Sequence, residues 1–151
     1  MATPKRVYQY EAMFLLSQAV AADLGGAVEH LKEIIARGHG EIVALRKWDE
    51  RRLAYEIAGQ KRGIYILVYF KAPNTDLAHI ERDCNLSEKI MRTLIVRADQ
   101  YAPEEIASFD GRKELEVEIK LRGERAAQTA TEGAAPAAAP AAAPASEPAA
   151  Q

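Results

Sequence analysis

The chain has 151 residues, a formal net charge of −2 and 48% hydrophobic residues, which suits one packed domain with an extension and argues against binding nucleic acid by bulk charge. No run approaches the roughly 18–20 apolar residues of a membrane-spanning helix, and the single cysteine, Cys84, excludes an internal disulfide, in keeping with a reducing cytosol. The opening "MATPKRVYQYEAMFLL" puts basic residues before an apolar run, but Tyr, Gln and Glu interrupt it and no small-residue cleavage site follows, so it is not read as a secretory signal.

Residues 7–16, "VYQYEAMFLL", are aromatic and aliphatic and too short for a typical helix, which predicts a first strand. In the next segment Val20, Leu24, Val28, Leu31, Ile34 and Ile35 recur at three- and four-residue spacing, the stripe of an amphipathic helix. Gly25 and Gly26 weaken its first turns, and Gly38 stands where a left-handed C-terminal cap would end it. "EIVALRKW" and "RRLAYEIA" predict one long strand or a bent pair, with a bulge or bend at Asp49 and Glu50 and a turn at "GQKRG". "GIYILVYF" is continuously apolar, as expected of a central strand covered on both faces. Pro73 then breaks the ladder, Asn74 or Thr75 can cap a helix, and Leu77, Ile80 and Cys84 or Leu86 mark its apolar face. "KIMRTLIVRA" predicts the fourth strand. The order β-α-β-β-α-β within residues 1–99 is that of an α+β, ferredoxin-like domain, a four-stranded antiparallel sheet with two helices on one face and the other face open to a partner.

Beyond it the composition changes twice. In residues 100–125, "RKELEVEIKLR" alternates strictly, which favours an extra strand, while the Glu116 and Lys120 spacing keeps a helix as the alternative. From Ala126 to residue 151 the Ala/Pro composition predicts a disordered tail.

Chemistry-bearing constellations are few. His30, His39 and His79 have no ligand-like spacing, so no metal or cofactor is expected. Cys84 on an apolar stripe is a small core hydrophobe before it is a nucleophile. Neither phosphate-loop glycine motif occurs, and paired carboxylates such as Glu104 and Glu105 need no more than solvent. What stands out is charge distribution. Six basic residues against three acidic ones lie between Arg46 and Arg62, and the balance reverses, five against seven, between Gln100 and Arg125. A local basic surface suffices for phosphate, because exposed charges act mainly within about 8–10 Å in physiological salt. Lys5, Arg6, Arg51, Arg52, Arg92 and Arg97, interleaved with Trp48 and Tyr55, are the candidate RNA contacts; the competing reading makes Arg51 and Arg52 a solvated edge that guards against strand aggregation. Tyr8, Tyr10, Tyr65 and Tyr69 are assigned to sheet packing. The RNA-recognition-motif signature is absent.

"YEAMFLL", "KWDERRLAYEI", "GIYILVYFKAP" and "LSEKIMRTLIVR", in that order over about residues 7–98, resemble the bacterial small-subunit ribosomal protein S-six family. The resemblance implies a non-catalytic, cytoplasmic constituent of the small ribosomal subunit that binds the central domain of small-subunit rRNA together with the small-subunit ribosomal protein S-eighteen, with no DNA or membrane partner. Arg51 and Arg52 match the family's basic pair before Leu53-Ala54-Tyr55, and Arg92 and Arg97 match basic positions around strand four. Trp48, Leu53 and Tyr55 are the corresponding candidates for partner binding. Asp49 departs from the glycine usual after the tryptophan, and residues 100–125 have no counterpart in the family core. The alternative reading is a ferredoxin-like small-molecule-binding or regulatory module that dimerises through its sheet.

Overall fold

The structure, a computed structural model, describes residues 4–132. Four strands, β1 (Val7–Ser17), β2 (Glu41–Ile57), β3 (Gln60–Pro73) and β4 (Ile90–Arg97), form one antiparallel sheet in the order β2-β3-β1-β4. Helices α1 (Leu24–Arg37) and α2 (Leu77–Leu86) cover one face, as the ferredoxin-like order requires, and two further helices, α3 (Pro103–Ser108) and α4 (Arg112–Glu132), follow β4.

Alternation along the central strands sends Tyr10, Ala12, Phe14 and Leu16 of β1 and Ile64, Ile66, Val68 and Phe70 of β3 to the helical face, where they meet Leu31, Ile34 and Ile35 of α1 and Ile80 and Cys84 of α2. Each fully buried Leu, Ile or Phe contributes roughly 1.5–3 kcal/mol of transfer free energy. Of the two endings proposed for the α2 stripe, Cys84 is buried and Leu86 is 71% exposed. Burial pushes the Cys84 thiol up to about 11, so it is an inert core group.

Two local expectations need correction. Gly38 does not take the left-handed cap: its φ is −84°, and His39, with φ 56°, does. Glycine is required at 38 for another reason, since a Cβ there would lie 2.2 Å from Ile80 Cγ1, where α1 crosses α2. The "GQKRG" turn is shorter than expected. Ala58 (φ 48°) and Gly59 (φ 77°) make the two-residue turn, and Gln60 already begins β3.

The expected extra strand is a helix. Leu115 and Ile119, one turn apart, pack into the main core, while Val117 and Leu121 face solvent at 59% and 57% exposure. The alternating apolar residues thus split between opposite helical faces. α4 also takes in residues 126–132 of the expected tail; residues 133–151 lie outside the described part of the chain.

The extension winds around the sheet. Tyr101, Ile106 and Phe109 cover Ala44, Leu67 and Tyr69 on the face away from α1 and α2, with Phe109 stacked on Tyr69 at 5.7 Å. The chain then rounds the β2 edge, where Gly111 N donates to Leu45 O (3.1 Å), Leu45 N to Asp110 Oδ1 (3.3 Å) and Arg112 Nη2 to Val43 O (3.2 Å). These bonds satisfy edge-strand groups that would otherwise template pairing with another chain. α4 finally lies beside α1. Both faces of β3 are covered over this half of the sheet, as its apolar run predicts, but the cover on the second face comes from residues 98–109.

Candidate nucleic-acid and partner interface

The remaining half of the outer face is built from the far end of the sheet. β2 shifts register between Lys47 and Asp49, leaving Trp48 as the extra residue of a bulge. Asp49 stabilises that bulge: its Oδ1 accepts from Glu50 N at 2.8 Å. Trp48 packs edge-on against Tyr65 with ring centroids 5.6 Å apart, and Arg51 lies over the indole, 6.0 Å from its centroid. Beside them Leu15, Leu53, Ile57, Tyr65 and Met91 form a separate apolar cluster. On β4 the register puts Arg92 opposite Leu15, Leu94 opposite Met13 and Val96 opposite Glu11, all on this face. Leu94 is 63% exposed and Trp48 44%. The surface is therefore an apolar centre with Arg51 on one side and Arg92 on the other, about 14 Å apart across three strand spacings.

The candidate residues do not form one patch. Arg51 and Arg92 flank this apolar surface. Arg52 is turned to the opposite face, opposite Arg62 in the β2–β3 register. Arg97 stands five residues along β4 from Arg92, roughly 17 Å away, and Lys5 and Arg6, just before β1, lie roughly 30–35 Å from the Leu15 row. Several carry internal partners: Arg6 N donates to Asn74 Oδ1 at 3.2 Å, Lys5 Nζ is 4.0 Å from Asp76, and Arg97 pairs with Asp99 while its guanidinium sits 3.8 Å from the Tyr8 ring centroid. The exposed Asp99 raises the Arg97 pKa. Arg51 is 3.6 Å from Asp49, so that carboxylate orients it. Among the partner candidates, Trp48 and Tyr55 are accessible, but Leu53 is only 8% exposed and supports the surface from beneath.

Sequence reasoning missed Met91, Leu94 and Val96 as part of this face. The signal for Leu94 and Val96 was present in their alternation with Arg92, which a two-sided reading of β4 would have used, whereas Met91 reaches this face at the register shift between Leu15 and Leu16. It also missed the ion cluster behind β2. Glu50 accepts from Lys47 Nζ at 3.0 Å, from Gln18 Nε2 at 3.1 Å and from Arg122 Nη2, and Glu118 accepts from Lys47 Nζ at 2.6 Å and Arg122 Nη2 at 2.7 Å. Burial alone would raise Glu50, but these donors and the Arg122 charge outweigh it and hold its pKa at about 2. Glu118 is lowered by the same balance. The cluster ties α4 to β2, and it leaves Glu50 engaged away from Arg51 and Arg52.

Among the described residues no group of three or more His, Cys, Asp or Glu side chains gathers as a metal site, and no helix is long and apolar enough to cross a membrane. Fold and surface define a ferredoxin-like module with a half-open sheet face flanked by Arg51 and Arg92. Residues 9–97 match the family model described as "Ribosomal protein S6". Similar curated proteins are the small ribosomal subunit protein bS6 of Rhodopirellula baltica, 36% identical over 102 residues (67% of this chain, 73% of that protein), and that of Campylobacter jejuni strain RM1221, 33% identical over 116 residues (74% and 91%). The crystal structure of 30S ribosomal protein S6 from Thermotoga maritima superposes with a TM-score of 0.59 at 27% identity, covering 66% of this chain and 95% of that one. The chain belongs to the ribosomal protein S6 family and is a structural, non-enzymatic constituent of the bacterial small ribosomal subunit.

Proposed function

We propose that the chain enters the small subunit by binding the central domain of small-subunit rRNA jointly with the small-subunit protein S-eighteen. The observation that supports this most is the half-open sheet face. An apolar centre of Trp48, Tyr65, Met91 and Leu94 suits a protein partner, and Arg51 and Arg92 at its margins suit phosphates on either side of that partner. The chain's net charge of −2 fits a shared task, in which the partner supplies much of the cationic surface.

The test is binding of a central-domain transcript by the native chain, by S-eighteen and by the two together, across a salt titration. The proposal expects the pair to bind more tightly than either protein alone and to lose affinity steeply as salt rises. Independent binding of the two proteins, or affinity indifferent to salt, overturns it.

A further inference from the structure

The two arginines that neighbour each other in sequence part company in the fold. Arg51 is opposite Gly63 and Arg52 is opposite Arg62, so the side chains of Arg52 and Arg62 emerge on the same side of the β2–β3 ribbon, the side away from Trp48. Directly opposed residues hold their Cβ atoms about 4.5–5.5 Å apart, and like charges so placed destabilise a sheet. Both side chains are exposed, as is that of Lys61, which with Arg52 and Tyr55 lines a cleft of about 170 Å³.

Among the described residues, Arg52, Lys61 and Arg62 have no carboxylate within 4 Å. Of the neighbouring carboxylates, Asp49 pairs with Arg51 and Glu50 with Lys47 and Arg122, while Glu56 lines the same cleft as Arg52 and Lys61 without an ion pair to either. Two guanidiniums present ten N–H donors in planar forks that match the geometry of phosphate oxygens. The exposed Tyr55 is the apolar side chain beside Arg52 and Lys61, so this surface is mainly cationic, whereas the centre of a protein interface is apolar.

We infer that Arg52 and Arg62 form a clamp for a single phosphodiester of RNA, on the opposite side of the ribbon from the partner-docking face. The clamp rests on the reading that the chain binds small-subunit rRNA, and it adds a β3 residue, Arg62, to the binding surface. Bound phosphate would offset the cross-strand repulsion between the two guanidiniums.

The test uses the full-length chain with Arg52→Gln, Arg62→Gln and the double change, a central-domain transcript with S-eighteen present, and denaturant unfolding in parallel. Each single change should weaken RNA binding by roughly 3- to 10-fold and lower the slope of log affinity against log salt by about 1. The double change should weaken it little more than either single, because both side chains hold one phosphate. Arg62→Gln should leave the unfolding midpoint unchanged or raised. If wild type binds and the variants bind equally well, the clamp is wrong and the rRNA reading stands. Additive losses in the double variant also overturn a shared phosphate. If wild type itself fails to bind the transcript, the rRNA reading falls and takes the clamp with it.

Discussion

Glu50 sits at the junction of three donors, and its chemistry makes an expected pH dependence explicit. Its carboxyl titrates at about 2 in the fold against an ordinary value of 4.5. A carboxyl lowered by folding contributes stability that is fully present above its unfolded value and is lost as pH falls toward its folded one. Stability should therefore drop by up to about 3 kcal/mol between roughly pH 5 and pH 2 from this group, with Glu118 adding in the same direction. Urea unfolding at a series of pH values checks this: Glu50→Gln should be less stable than wild type at pH 7 and approach it at pH 2. A pH-independent difference would place the loss elsewhere. At this scale the sequence was only partly legible. The arginine pair was visible, but its divergence needed the register, and Gly38 was misread because its constraint is the Ile80 side chain of another helix. Asp49 beside Arg51 was visible as a charge; that it also bonds the Glu50 amide in a bulge was not.

Periodicity made most elements readable. The α1 stripe of Leu24, Val28, Leu31, Ile34 and Ile35 is buried as its spacing predicts, and the continuous run of β3 lies in the sheet interior. α4 shows where that signal fails. Residues at every second position satisfy a strand pattern, yet in a helix 115 with 119 and 117 with 121 form two faces, and only the first is buried. The abundance of Glu, Lys, Leu and Arg, strong helix formers with few β-branched residues among them, and the Glu118–Arg122 spacing carried the better signal. The helix also needs its tertiary seat, which no local pattern reveals: Gly25 lets it approach α1, since a Cβ there would lie 2.9 Å from Ile119 Cγ2. Leu115, 3% exposed, anchors that seat. Leu115→Ala should destabilise the chain by about 2–5 kcal/mol in denaturant unfolding; a loss below about 0.5 kcal/mol would mean that α4 contributes little to the folded core.

For the whole molecule, the extension decides which part of the sheet is available. The family-model match ends at residue 97, and the chain beyond it covers half the outer face, bonds the β2 edge and packs beside α1. What stays open is the Trp48, Met91 and Leu94 surface with its two arginines, and the reading of this protein as a joint rRNA and protein binder depends on that surface. Leu94 is the residue through which to test it, being 63% exposed on an edge strand, so a charge there costs the fold little. The decisive measurement is sedimentation of cell extracts expressing tagged wild type or Leu94→Glu, with the unfolding midpoint of each chain in hand. The open face as docking surface requires wild type to travel with the small subunit and Leu94→Glu, folded normally, to remain at the top of the gradient. Equal incorporation of the two chains would contradict it.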